Sequence, residues 1–143
     1  MYASSQASAN AMNRMSTMYT HVGVQGAASS DTSGHELIAM LFDGLLGAIA
    51  AARGALRNAD VPAKARAMGK ALGIVSEGLR GSLNTSQGGD IAGNLDALYA
   101  YIELRLTHAN LHNDVAALEE CSELVRPLLE AWRQIAPQVR HAA

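Results

Sequence analysis

A chain of 143 residues with a net charge of −2 has the length of one domain and is long enough to bury a real core. With 49% hydrophobic and only 17% charged residues, general disorder is excluded, and the charge gives no reason to expect nucleic acid or an anionic membrane as partner. Aromatics at 4% and the lack of alternating Val/Thr/Ile runs argue against sheet and for helices with an aliphatic core. Cys121 is the single cysteine, so no internal disulfide can form and a reducing, cytoplasmic address fits. No apolar run approaches the length needed to span a bilayer, so no membrane insertion is expected. The opening Met1-Tyr2-Ala3-Ser4-Ser5-Gln6 lacks a charged leader ahead of an apolar stretch, so no secretory signal is expected either.

Residues 1–32 are rich in Ser, Ala, Asn, Gln and Gly and read as a flexible segment. Within it Met12, Met15, Met18, Tyr19 and Val22 are spaced to line one side of a short helix; the alternative is a plain tail. Ser33, with Glu36 three residues on, forms a capping box that opens the first long helix. Leu37, Leu41, Leu45, Ala48 and Ala52 make one apolar row on that helix, and Ile38, Phe42, Ile49 and Leu56 make its neighbour. Gly44, Gly47 and Gly54 each cost about 1 kcal/mol against alanine. They make sense where another backbone comes close or where burial compensates.

Asn58-Ala59-Asp60-Val61-Pro62 breaks the chain, with Asp60 as cap and Pro62 in the first turn of helix two. Met68, Leu72, Val75 and Leu79 form its stripe and Leu83 closes it, while Lys64, Arg66 and Lys70 are expected on a solvated side. Asn84 to Gly89 reads as a loop, and helix three starts near Gly89 or Asp90. Ile91, Leu95, Leu98, Ile102 and Leu106 lie on one face of it; Ala97, Tyr101, Leu104 and Leu111 form a second row, and Tyr99 widens the apolar area. Such a helix wants burial over most of its circumference, by the protein or by a partner. Tyr99 and Tyr101 cannot both reach the bundle centre, so one faces a groove, a partner or solvent. Asn113 is expected to cap helix four, whose rows are Val115, Leu118, Val125, Leu129, Trp132 and Cys121, Leu124, Leu128, Ile135, with Pro127 inside it. Residues 33–137 thus predict an all-α, antiparallel up-down four-helix bundle, followed by a frayed tail at 138–143.

The chemistry-bearing residues are few. His108 and His112 have the spacing of a helical metal pair, but they straddle a helix end and no third ligand lies at a compelling position. Gly88-Gly89 precedes a helix as in phosphate loops, yet Asp90 would repel a phosphate and no Gly-Lys-Ser follows. Cys121 lies on an apolar row, as small core residues do. No enzyme activity, metal or cofactor is expected.

Gln87-Gly88-Gly89-Asp90-Ile91-Ala92, then Asn94-Leu95, Leu98-Tyr99, Tyr101-Ile102, Leu106 and Ala109-Asn110 resemble the signature of the flagellin export chaperone family, FliS. Ser33-Gly34-His35-Glu36-Leu37-Ile38-Ala39-Met40-Leu41-Phe42-Asp43-Gly44 is similar to that family's Ser-Pro-x-x-Leu-Ile-x-Met-Leu-Tyr-Asp-Gly, with Gly34 in the place of the usual proline. Trp132 matches the family's late tryptophan, and Tyr19-Thr20-His21-Val22-Gly23-Val24 resembles the segment that precedes its bundle. The resemblance covers roughly Tyr19 to Ile135. It implies the same four-helix fold and a cytoplasmic chaperone that binds the disordered C-terminal segment of flagellin, one to one. Masking that segment would prevent premature polymerisation and keep flagellin competent for the flagellar type III export gate. By position, the resemblance puts Leu37, Leu41, Phe42, Asp43 and Gly44 at the partner surface, with Asn94, Leu95, Leu98, Tyr99, Tyr101 and Ile102. It leaves open which of them are core. Tyr19 and its surroundings are expected either to cover the groove as a lid or to touch the partner. A self-associating bundle, a homodimer when client-free, is the alternative reading.

Overall fold

Two aspartates decide where two helices begin. Asp60 and Asp114 each sit in extended backbone and accept a hydrogen bond three residues on, Oδ1 of Asp60 from the Ala63 amide at 3.1 Å and Oδ1 of Asp114 from the Ala117 amide at 3.2 Å. Each satisfies a donor that a helix start leaves orphaned. In the computed structural model, residues 34–135 are described, without the side chains of residues 85 and 87. They form α1 (Gly34–Arg57), α2 (Val61–Gly73, continued by a π-helix, Ile74–Arg80), α3 (Thr85–His112) and α4 (Val115–Gln134). Short turns make sequential helices antiparallel neighbours, and α4 packs back on α1 to close the ring, so α1 and α3 are diagonal. The expected all-α bundle is the fold. Ser33 and the residues before it lie outside the described residues.

The turns α1–α2 and α3–α4 follow one design. Ala59 (φ 53°) and Asn113 (φ 50°) are left-handed, and the next amide reaches back, Asp60 N to Ala55 O at 2.9 Å and Asp114 N to Ala109 O at 3.1 Å. This is the Schellman closure of a helix C-terminus. Asn113 was the cap expected for the last helix, but it is the left-handed residue, a conformation asparagine tolerates well. The cap is its neighbour Asp114.

Helix two departs from expectation in its second half. Met68, Val75 and Leu79 are buried as the stripe requires, but residues 74–80 are π-helical. Leu41 of α1 packs onto Gly78, where an added Cβ would stand 3.0 Å from Leu41 Cδ2. At Gly81, just past the widened turn, a Cβ would stand 2.6 Å from the Glu77 carbonyl oxygen, so only glycine fits. Lys64 does not sit free on a solvated side: its Nζ donates to Asn110 O at 3.1 Å and Asn113 Oδ1 at 2.8 Å. Arg66 and Lys70 are exposed, as expected.

The start of α3 contains the break that the Gly-Gly pair announces. Gly89 has φ 60° and ψ −136°, a region open essentially to glycine. It separates the turn beginning at Thr85 from the long helix that follows. Arg80 braces this helix against the π segment, with Nε 2.7 Å from Asp96 Oδ1 and Nη1 3.1 Å from Glu103 Oε2. The hydrogen bond and charge of Asp96 raise the guanidinium pKa further.

The core runs along the bundle axis: Ile38, Phe42, Leu45 and Ile49 of α1, Val75 and Leu79, then Leu95, Tyr99, Ile102 and Leu106 of α3, with Leu118, Val125 and Trp132 of α4. At one end, the Trp132 indole stacks on the buried His35 ring (centroids 4.5 Å apart, planes at 9°) and Nε1 donates to His35 O at 2.9 Å. Against the sequence expectation, α1 is long and apolar enough by composition to cross a membrane, with a mean hydropathy of 1.6 in its best window. The Leu, Ile, Phe and Met side chains of its two apolar rows, with the alanines between them, produce that value, and the core row faces the bundle interior. Gly47 is exposed and a Cβ there would meet nothing within 4 Å, so neither close approach nor burial explains it.

Candidate functional site

The residues that the family resemblance singles out divide by burial. Phe42, Leu95, Tyr99 and Ile102 are core. Leu37, Leu41, Gly44 and Leu98 are half-buried, Asp43 and Asn94 are exposed, and Tyr101 is 42% exposed. Thus Tyr99 is the central tyrosine and Tyr101 the peripheral one. Tyr19 lies outside the described residues.

The surface members do not form one patch. Leu41 and Gly44 face α2, the first against Gly78 and the second with an added Cβ 3.4 Å from Ile74 Cδ1. Tyr101 faces α4, where its hydroxyl donates to Glu120 Oε1 at 2.9 Å. Because α1 and α3 are diagonal, these are two different sides of the bundle. The α3–α4 side carries the half-buried Ile91, Leu98, Leu124 and Leu128, which rest on the core. Asp43 lies toward α4, with Oδ1 3.7 Å from Arg133 Nη2, and both side chains are mostly in water. Such a pair contributes little to stability.

A third apolar region is the outward face of α3. At 100° per residue, Ala97, Tyr101, Leu104 and Leu111 point away from the Leu95–Tyr99–Ile102–Leu106 face. Leu104 is 66% and Leu111 72% exposed. The second row read in the sequence is therefore a surface stripe, although only Tyr101 among its members was a site candidate. Leu104 and Leu111, seven apart, were visible as a row; their outward direction was not. Met40 of α1, 62% exposed, is a further apolar residue at the surface.

Polar groups frame the stripe. Glu120 Oε1 also accepts from Arg105 Nε at 2.9 Å, and the hydrogen bond to Glu120 raises the Tyr101 pKa, as does burial. His108 Nε2 lies 3.2 Å from Asp114 Oδ2, and the His108 and His112 rings are 4.6 Å apart. The Ala117 amide, and after it His108, holds the Asp114 carboxyl below its usual range. Among the described residues no cluster of three or more His, Cys, Asp or Glu is arranged to hold a metal. Cys121 is buried, with Sγ 3.9 Å from Ile102 O, and burial pushes its thiol up to about 11. A nucleophilic cysteine needs the opposite shift.

Comparison with known proteins gives this surface a context. Residues 14–139 match the family described as Flagellar protein FliS. The chain is 46% identical over 120 residues to the flagellar secretion chaperone FliS of Salmonella typhimurium, covering 84% of this chain and 88% of that protein. It is 42% identical over 114 residues to the flagellar secretion chaperone FliSB of Pseudomonas aeruginosa, covering 80% of this chain and 89% of that one. The FliS of Bacillus subtilis is 34% identical over 110 residues, covering 77% and 80%. A helical bundle with apolar side chains left on its outside, matched over nearly all its length by one family, admits one assignment: the chain belongs to the FliS family of flagellar proteins.

Proposed function

We propose that this protein is a cytoplasmic flagellar export chaperone, without enzymatic activity, that binds the disordered C-terminal segment of flagellin one to one. In this reading it masks the segment against premature polymerisation and presents loaded flagellin to the type III export gate. The observation that carries it is the surplus of apolar surface on several sides of one bundle: the outward stripe of α3, the α3–α4 side with Leu98, and the α1–α2 side with Leu37 and Leu41. Ordering a disordered segment costs about 1–2 kcal/mol per residue in backbone entropy alone, so a client must be repaid over a long apolar track. Surfaces on opposite sides suit a segment that wraps, its helical turns lying in successive grooves. Asn94, exposed one turn from Leu98, would hydrogen-bond the client backbone, and Asp43, exposed on the α1–α4 side, would meet only a segment that wraps that far.

Titration calorimetry with flagellin tests the reading. The expected result is binding at one to one with a negative heat-capacity change, lost when the C-terminal segment of flagellin is deleted. Equal affinity for the truncated flagellin would end this proposal. Residues 12–24 enter as lid or as contact through Tyr19. Removing the residues before Ala27 separates these: a lid open in a tenth of molecules gives about tenfold tighter binding on removal, and a contact gives weaker binding.

The exposed Leu104 and Leu111 also favour a second reading, a homodimer that closes through this stripe when no client is bound. A mass that rises with concentration in client-free protein and falls back on adding flagellin supports it; a constant monomer mass excludes it.

A further inference from the structure

At the end of the bundle farthest from Leu41 and Leu98, the turns α1–α2 and α3–α4 enclose a pocket of about 340 Å³. From Leu41 to Leu56 along α1 is about 22 Å of helix, so this pocket is separate from the tracks around Leu41 and Leu98; of the α3 stripe, Leu111 comes nearest, two residues before the lining Asn113. Its walls are apolar: Leu56 and Ala59 from the first turn, Val61 from the start of α2 and Val115 from the start of α4. Val61 is 68% exposed, a β-branched residue at a helix start with nothing covering it. Both left-handed non-glycine residues of the described chain, Ala59 and Asn113, line this one pocket. Their backbones are fixed by the Schellman closures, so the walls are preformed.

The charges at the pocket are unbalanced. Lys64 spends its ammonium on two neutral acceptors, Asn110 O and Asn113 Oδ1. Among the described residues no carboxylate pairs with Lys64 or with Arg57, the second cation at the rim. The one carboxylate there, Asp60, is engaged as the cap of α2. Arg57 and Lys64 against Asp60 leave the lining one positive charge in excess, and a preformed apolar hollow with that excess is complementary to a carboxylate set beside a bulky aliphatic side chain.

We infer that this pocket docks an acidic, leucine-type peptide segment of a second protein, its aliphatic side chain between Ala59, Val61 and Val115 and its carboxylate on Lys64 and Arg57. Occupation leaves the tracks around Leu41 and Leu98 free, so the segment and a client held there bind together.

The test uses isotope-labelled full-length protein and an acetylated, amidated tetrapeptide of two leucines flanked by two glutamates. Its twin carries glutamines instead. The expected result is a set of amide shifts centred on Ala59, Val61, Asn113 and Val115, saturating with a dissociation constant below about 1 mM. The glutamine twin and the Lys64→Met variant should each bind roughly fivefold more weakly, the weight of a charge-assisted contact at a half-open site. Because Lys64 also joins two turns, Val61→Asp serves as a second variant; its side chain is in water, so the fold persists while the pocket is blocked by a like charge. Unchanged shifts when the protein is saturated with flagellin C-terminal peptide support a separate site, whatever that peptide's own contacts prove to be. No shifts at about 10 mM probe, equal binding of the twin, or shifts centred on Leu104 and Leu111 would overturn the inference.

Discussion

Tyr101→Ala is expected to keep the melting temperature within roughly 2 °C of wild type while weakening flagellin peptide several-fold, and Tyr99→Ala is expected to do the reverse of the first. The two side chains are two residues apart on α3 and chemically alike, but Tyr99 is fully buried and Tyr101 is 42% exposed. Truncating a buried aromatic removes its transfer energy and leaves a cavity, together costing about 3–5 kcal/mol. That is a large part of the 5–15 kcal/mol that holds a typical domain folded. Tyr101 leaves no cavity when truncated and gives up one surface hydrogen bond, to Glu120. What it loses is a flat amphipathic ring beside Leu104 and Leu98, a kind of group that dominates binding surfaces. Thermal melts with calorimetric titration decide the matter. Normal flagellin binding by Tyr101→Ala would remove the α3–α4 side from the proposed client track.

Trp132→Ala should cost about 3–5 kcal/mol as well, which for a bundle of this size is a fall of well over ten degrees in the melting temperature. Trp132 is the largest fully buried side chain, and it joins the last turns of α4 to the first turn of α1 through the His35 stack and carbonyl. Trp132→Phe keeps much of the apolar volume but leaves the His35 carbonyl without the indole donor, so it should fall between wild type and alanine. Denaturant titrations check both: a shifted midpoint with an unchanged slope is the signature of a pure stability change. A loss below about 1 kcal/mol for the alanine variant would mean that this end of the bundle is frayed in solution.

Four helices, their approximate limits and the cap at Asp60 were legible in the sequence because each rests on local chemistry: Pro62 and Asp60 at a start, Gly88-Gly89 at a break, rows at three- and four-residue steps. Sidedness was not. The rows Leu95–Ile102 and Tyr101–Leu104 have similar composition, and only the placing of α2 and α4 on either side of α3 decides which turns inward. The π-helix was invisible because its seven residues are too few to reveal a change of period, and the buried stripe survives it. Asn113 and Asp114 are adjacent, and either can cap; the left-handed turn needed by α3 took the asparagine. The hydropathy of α1 was underestimated because its two apolar rows were read as separate faces, whereas along the chain they add together.

The matched turns at Ala59 and Asn113 have a kinetic consequence. Each closes its hairpin across a few residues, α1 onto α2 and α3 onto α4, so both can form at the speed of local loop closure, well under a millisecond. The α4–α1 seam differs: the indole and the His35 carbonyl are 97 residues apart in the chain. That seam must wait for the two hairpins to meet. Contacts made late are absent from the folding transition state, so they govern how fast the bundle opens rather than how fast it assembles. The end of the molecule where the chain enters α1 and leaves α4 thus sets the lifetime of the folded bundle.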